Sequence, residues 1–360
     1  MLDDVVATEL ERARCRERLE RLSESSLDCD SLRREALREL QRVIGFDRWC
    51  WALADPDSLI PLGGIAEHDY GPAVPRELEL EYSGDDFAAM DVLARRVKPA
   101  ASLSIETGGD LARSPRWDQV LRPVGIGDEA VVACRDVLGC WGWLKAYRDS
   151  ADARFAEHDL DLLAQLGPAL GTALRHHPPA NDGGAAAPTA APTVPGVIVL
   201  GGDLSVLMST ASARAWLEAL PSAGVYAAFG ILPAMVYPAA TLSRSADTAS
   251  RAHALERCVD GRWVMIEAAA LEGRADGEVA VTFRAATGSE TFDRLCRIYA
   301  LSGRERDVVA GLLDGLDTRA LSERLFISRH TVQDHLKSVF EKTRVHSRRE
   351  LLAKFSGTLA

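Results

Sequence analysis

The 360-residue chain lacks any run of about 18 apolar residues, so no helix in it is predicted to span a membrane. It is also short of organised cysteine. Seven are scattered at positions 15, 29, 50, 134, 140, 258 and 296, with no C-x-x-C. An odd count without paired spacing indicates neither a disulfide framework nor a zinc knuckle, and it fits a reducing cytoplasm. Cys134 and Cys140 flank a predicted hairpin turn, where a redox pair competes with the plainer reading of two buried thiols. The start, Met1-Leu2-Asp3-Asp4, lacks the basic and apolar run of a secretory signal. Asp3-Asp4 precedes a helix rather than following a strand, which argues against a phosphorylated receiver domain. No nucleophile elbow, P-loop or H-E-x-x-H occurs, so no catalytic residues, no metal and no cofactor are expected. His330 and His335 are five apart, the wrong interval for a helical ligand pair. His176-His177 reads as a helix-end cap.

What is present is a globular composition, 47% apolar and 26% charged, long enough for two or three domains. The net charge of −11 is unevenly spread. Residues 291–360 carry 13 Lys/Arg against 9 Asp/Glu, and the rest carry 29 against 44. A basic end on an acidic body fits a nucleic-acid-binding tip, and it suggests that the body restrains the tip until a signal intervenes.

Residues 3–24 have Arg, Glu and Leu at helical spacing. A second helix follows, with Leu32, Ala36, Leu37, Leu40 and Val43 on one face and Asp30 as its cap. Strands are predicted over 46–54, 58–66 (interrupted by Gly63-Gly64), 101–105, 129–136 and 140–148. Phe155 to Leu174 is an amphipathic helix. Residues 178–195 hold five prolines, two glycines and six alanines, a composition that cannot bury a core and marks a linker. Beyond it, 197–200 and 204–208 pair around Gly201-Gly202-Asp203, and 210–220 is helical. Asp-Gly turns at Asp260 and Asp276 join three further strands into an antiparallel meander.

The densest information lies near the C-terminus. Ser302 and Glu305 form a capping box for a helix reaching about Asp314. Asp317 caps a short helix carrying Leu321 and Leu325. Ser328 caps a third, running to about Lys342, with Val332, Leu336, Val339 and Phe340 as its buried stripe. A short helix, a tight turn and a second helix with polar outward residues form a helix-turn-helix, whose second helix enters the major groove. Arg319, Arg329, Lys337 and Lys342 can neutralise phosphates. Thr331 can bond a phosphate oxygen, and Gln333 can read adenine through two hydrogen bonds.

These motifs, L-S-x-R-E-R, E-R-L-x-I-S-x-x-T-V, H-L-K and V-x-S-R-R-E-L, resemble the LuxR-type (GerE/NarL-type) helix-turn-helix regulators over about residues 298–356. The resemblance implies an all-α four-helix domain. Ser328, Thr331, Val332, Gln333, His335 and Lys337 then stand at its DNA-facing region, and Leu351, Leu352 and Phe355 of the fourth helix at a dimer contact. Arg344 stands where glycine is common; a left-handed cap there costs it about 1 kcal/mol.

Residues 30–177 resemble a GAF domain, through Gly45-Phe46-Asp47-Arg48-Trp49, Ser114-Pro115-Arg116-Trp117 and Gly139-Cys140-Trp141-Gly142-Trp143. Trp49 and Trp51 share one strand face and Trp141 and Trp143 another, so the two pairs could wall a ligand pocket or serve as core aromatics. Residues 196–287 look PAS-like in strand order.

The reading is a multidomain chain: a helix over 1–29, an α+β GAF-like domain over 30–177, a linker over 178–195, an α+β PAS-like domain over 196–287 and the helix-turn-helix over 288–360. The expected partners are double-stranded promoter DNA and a second copy of the chain, with a small-molecule signal and RNA polymerase as further candidates. The rival reading is a scaffold whose GAF-like domain binds a partner protein.

Overall fold

A computed structural model describes residues 8–23, 25, 27–67, 71–176, 192–273 and 277–356. Asp3-Asp4, His177, most of the Pro/Ala-rich linker and Asp276 lie outside them. The first unit begins with helices α1 (Glu9–Ser23) and α2 (Cys29–Ile44). Asp28, rather than Asp30, caps α2 by accepting from the Ser31 amide; Asp30 falls within the first turn and pairs with Arg33 at 2.6 Å. Strands β1 (Arg48–Ala54) and β2 (Pro61–Ala66) form a hairpin. Gly63-Gly64 does not interrupt β2. A Cβ at Gly64 would stand 3.0 Å from the Trp51 carbonyl oxygen, so glycine lets the strands approach.

Helices α3 (Val74–Tyr82) and α4 (Met90–Leu93) precede β3 (Ala100–Ser102). The strand predicted through Ile105 ends early, because the Ser102 side chain caps a helical turn, α5 (Leu103–Glu106). Long strands β4 (Ile126–Asp136) and β5 (Gly139–Asp149) follow, then α6 (Glu157–His176). The sheet order is β2-β1-β5-β4-β3. One face buries Trp49, Trp51, Leu144 and Val132 against α1, α2 and the Leu160/Leu163/Leu166/Leu170 stripe of α6. Gly171 of α6 passes so close to β4 that a Cβ would meet the Arg135 backbone at 2.5 Å.

The second unit contains β6 (Gly196–Leu200), β7 (Val206–Ser209), α7 (Ala211–Glu218), α8 (Ala223–Ala227), α9 (Val236–Ser243), β8 (His253–Arg257), β9 (Trp263–Ala270) and β10 (Val279–Ala285). The order β7-β6-β10-β9-β8 repeats that of the first sheet, strand for strand. Along β10 burial alternates, with Val279, Val281 and Phe283 inside, so one face of this sheet packs inward and the other does not. Helices α7 and α9 cover the inner face, and α9 also packs on α3. The two units therefore share one core, in which Trp143 and Val131 of the first belong with Trp216 and Phe283 of the second.

Helix α10 (Gly288–Ile298) leads into α11 (Gly303–Leu313), α12 (Thr318–Leu325), α13 (Arg329–Thr343) and α14 (Arg348–Phe355). Sequence reasoning named no helix over α10. Its start is a capping box of Thr287 and Glu290, a T-x-x-E signal that could have been read in advance.

Candidate nucleic-acid interface

Each helix of the C-terminal unit begins where a short polar side chain replaces a missing backbone partner. Ser302 accepts from the Glu305 amide, and Glu305 accepts from the Ser302 amide at 2.6 Å. Asp317 accepts from the Ala320 amide at 2.7 Å, Ser328 from the Thr331 amide at 3.0 Å and Ser347 from the Glu350 amide at 3.1 Å. Between α12 and α13 the chain turns through Phe326, which is left-handed at φ 55° and 94% exposed. A left-handed residue at this point stops α12 and redirects the chain within three residues. Sequence reasoning missed Phe326 because only its backbone, not its residue type, marks the turn.

Helix α13 then divides cleanly. Val332 (0% exposed), Leu336 and Val339 pack inward with Leu321 of α12 and Val308, Val309 and Leu312 of α11. Arg329, His330, Gln333, Asp334 and Lys337 are exposed, and Thr331 and His335 are half-buried. The outward face remains uncovered by the two sheet-bearing units. The acidic body therefore does not mask the tip by lying over it in this structure.

The anticipated DNA contacts sort accordingly. Arg329, Gln333 and Lys337 form an open ridge. Gln333 Nε2 lies 3.4 Å from Thr318 Oγ1, which tethers its amide beside the N-terminus of α12. Arg319 stands on the same side, paired with Glu323 at 2.9 Å but 70% exposed. The Ser328 and Thr331 hydroxyls bond each other at 2.9 Å. Asp334 has His330 within 3.5 Å, a pair that is ionic when the imidazole is protonated.

Three expectations fail here. Val332 is a core residue and cannot reach a base edge. Lys342 is not a free phosphate ligand: its Nζ donates to Glu305 Oε2 at 2.6 Å and to the Ala300 carbonyl at 3.1 Å. The fourth-helix residues offered for dimer contact are used within the chain. Leu351 is 0% and Phe355 3% exposed, with the Phe355 ring 5.9 Å from Phe292 of α10 and 6.3 Å from Tyr299; Leu352 is half-buried against the same core. Phe292 of α10 thus occupies part of the face offered to a second copy.

The tryptophan pocket fails too. Cys134 pairs with Gly142 and Arg135 with Cys140, which leaves Trp141 as the extra residue of a β-bulge. Trp141 therefore packs with Trp49 and Trp51 under the helices, while Trp143 lies on the opposite face. All four are core residues. A cleft of about 460 Å³ between the β4–β5 turn and α10 is lined by Arg95, Arg135, Arg297 and Cys140 and by none of the four tryptophans. Cys134 and Cys140 are both buried, and burial pushes the Cys140 thiol up to about 12, outside the range of a reactive thiolate.

The face carrying Trp143, beside its apolar contacts with the second unit, also buries charge. Lys145 Nζ bonds Glu77 at 2.9 Å and Glu81 at 2.8 Å, both on α3. Arg116 grips Glu129 of β4 through two bonds of 2.8 Å and Asp86 through another of 2.8 Å. All six side chains are nearly inaccessible.

Helix α10 is held along its whole length. Arg284 of β10 bonds Glu290 at 2.8 Å; that bond, outweighing partial burial, holds the Glu290 carboxyl at about 2. Arg294 reaches Asp55 at 2.6 Å and Arg297 reaches Asp57 at 2.7 Å. At the far end Arg175 of α6 donates to the Ile298 carbonyl at 3.0 Å. Both sheet-bearing units therefore grip the segment that carries the DNA-reading helices.

A helix-turn-helix of this build, with capped helices and a cationic outward ridge, defines a DNA-binding module. Residues 299–355 match the family model described as bacterial regulatory proteins, luxR family, and this C-terminal segment is a domain of that family. Among solved structures, Escherichia coli SdiA aligns at 13% identity over 97% of this chain and 99% of its own, with a TM-score of 0.35. The bacteriophytochrome RpBphP3 from R. palustris aligns at 12% identity over 79% of this chain and 64% of its own, with a TM-score of 0.33. Neither likeness is close enough to carry an argument. No curated protein matches the chain. Among the described residues, no helix is long and apolar enough to cross a membrane.

Proposed function

We propose that the chain is a one-component transcription regulator. Its C-terminal helices bind promoter DNA, and its two sheet-bearing units, GAF-like and PAS-like, sense a signal. The observation that carries this is the division of α13: an inner stripe of Val332, Leu336 and Val339 fixes the helix, so that Arg329, Gln333 and Lys337 stand out together on a surface that no described residue covers. Lys337 and Arg329 meet the phosphates, and Gln333 presents its amide to base edges.

A single small helical unit buries too little surface for operator affinity, so the reading includes a dimer on two half-sites. With Leu351 buried and Phe355 packed against Phe292 of α10, that dimer forms through another surface or after α10 moves. Signal transfer runs through α10, because it touches both sensing units and the fourth helix. The test is selection of bound duplexes from a random pool by the full chain, followed by affinity against salt. A steep negative slope supports the reading, and absence of duplex binding at low salt defeats it.

A further inference from the structure

At the centre of the molecule lies a buried charged group that DNA reading leaves unexplained. Asp55, 0% exposed, follows β1. Its Oδ1 accepts from the amides of Asp57 at 2.9 Å and Ser58 at 3.2 Å. Its Oδ2 accepts from the Leu255 amide of β8 at 2.8 Å and from Arg294 Nη2 of α10 at 2.6 Å. Arg294 Nη1 donates to the Leu255 carbonyl at 3.4 Å. Strand β8 is an edge of its sheet. Asp55 and Arg294 thus satisfy both backbone groups that Leu255 turns away from that sheet. One carboxylate ties together the first unit, the second unit and the helix leading to the DNA-reading module.

The next residue, Glu256, is buried at the same place. Its carboxyl meets the Gly63 amide of β2, while Oε2 has no partner. Arg294 Nε also has none. The charged groups facing Glu256 come from two elements, Asp55 from the loop after β1 and Arg294 from α10. Beyond them, at the half-exposed rim, Asp57 pairs with Arg297 at 2.7 Å and approaches Arg294 at 3.4 Å. On β9 the residue opposite Glu256 is Val264, which brings no charge. The buried set is therefore two carboxyls against one guanidinium already committed to Asp55. An ionised Glu256 would be a second buried anion with half its oxygens unbonded. Burial, only partly opposed by the Gly63 amide, pushes its acid up to about 8.

We propose that Asp55, Glu256 and Arg294 form a proton-operated latch: a protonated Glu256 keeps the two sensing units and α10 closed on one another, and its ionisation opens the junction and frees α10. The effect on DNA rests on the function proposed above; the latch itself does not. The sign follows from linkage. The closed junction holds the Glu256 proton more tightly than an open one, in which a glutamate titrates at an ordinary value of about 4.3. Closure is thus strongest below the open-state value of about 4.3. The opening constant rises about tenfold per pH unit up to about 8 and levels off above it.

The test is amide hydrogen exchange on the full-length protein between about pH 6 and about pH 8, corrected for intrinsic rates, read at Leu255 and along α10. The wild type is expected to open about tenfold more per pH unit, and Glu256→Gln, which cannot ionise, to stay closed without pH dependence. The same pH dependence in Glu256→Gln overturns the latch. Direct carboxyl NMR titration of Glu256 in the wild type gives a check that needs no variant: a midpoint near 8 supports the latch, and one in the ordinary glutamate range overturns it. Duplex affinity measured on the same samples separates the two proposals. pH-dependent opening with no duplex binding upholds the latch and defeats the DNA reading.

Discussion

Lys342 Nζ stands 2.6 Å from Glu305 Oε2, so the acid that closes the capping box of α11 also anchors the last turn of α13. Glu305 further accepts from the Ser338 hydroxyl at 2.6 Å. Burial alone would raise this carboxyl; the Lys342 ammonium, the Ser338 hydroxyl and the Ser302 amide overcome it and hold the group at about 2. A depressed carboxyl stabilises the fold above its unfolded value and loses that contribution as pH falls through its folded one. Glu305→Gln should therefore weaken the C-terminal helices by about 1–3 kcal/mol at neutral pH, with the deficit shrinking as pH drops toward 2. Hydrogen exchange of the α11 and α13 amides checks this. A deficit unchanged down to the lowest pH would show that the charge is not what matters.

Lys337 has no such internal tie and Val332 no outward surface, so the two should behave oppositely. Lys337→Ala should weaken duplex binding evenly across sequences and reduce the salt slope by about 1. Val332→Ala, which removes two buried methyl groups, should lower stability by about 2 kcal/mol or more and leave the slope unchanged in the folded fraction. Lys342→Ala should follow Val332→Ala rather than Lys337→Ala, because its charge is spent on Glu305. Gln333→Ala should relax selection at one base position, at a cost of about 1–3 kcal/mol for the preferred base. Salt titrations of these variants on one selected duplex, with melting curves beside them, would decide the assignment.

How much of this was legible depends on how local each signal is. Ser302 with Glu305, Asp317 and Ser328 each act within one helical turn, and their helices lie where the motifs put them. The hairpin over 196–209 and the β8–β9 turn at Asp260-Gly261 were legible for the same reason. Misreadings arose where a distant element intervenes. Trp141 and Trp143 are two apart and should share a face, but the bulge that turns them apart is a property of pairing with β4. Leu351 and Phe355 form an apolar stripe that a second copy could cover; Leu351 is instead buried within the chain, and Phe292 of α10, some sixty residues earlier, packs on Phe355. The ion cluster of Lys145, Glu77, Glu81, Arg116 and Glu129 joins residues from four elements, and nothing in their spacing announces it.

That cluster yields a third prediction. Lys145 is buried between Glu77 and Glu81, and burial raises the Glu81 acid above its usual range despite the neighbouring Lys145. Removing the ammonium leaves both carboxyls buried without it, so Lys145→Met should cost about 3–5 kcal/mol. A triple change that also makes Glu77 and Glu81 apolar or amide should recover much of the loss, since the charges serve one another more than the fold. Denaturant melts of the single and triple variants test this. A triple variant no better than the single would mean that shape, rather than charge, governs this face.

Arg344 supplies the last. It caps α13 in the left-handed region at φ 53°, with its amide donating to the Glu341 carbonyl at 3.3 Å. A side chain with a Cβ is strained there, and glycine is not. Against that gain stands the greater freedom that glycine gives the unfolded chain, a smaller term at a cap than inside a helix. Arg344 is exposed, and among the described residues its side chain has no hydrogen bond or ion pair to lose. Arg344→Gly should therefore stabilise the C-terminal helices by up to about 1 kcal/mol. Arg344→Ala, which keeps the strain and removes only the charge, should stay within about 0.5 kcal/mol of the wild type. Melting both variants side by side isolates the backbone contribution. Equal stability of glycine and alanine at this position would show that the left-handed cap is not under strain.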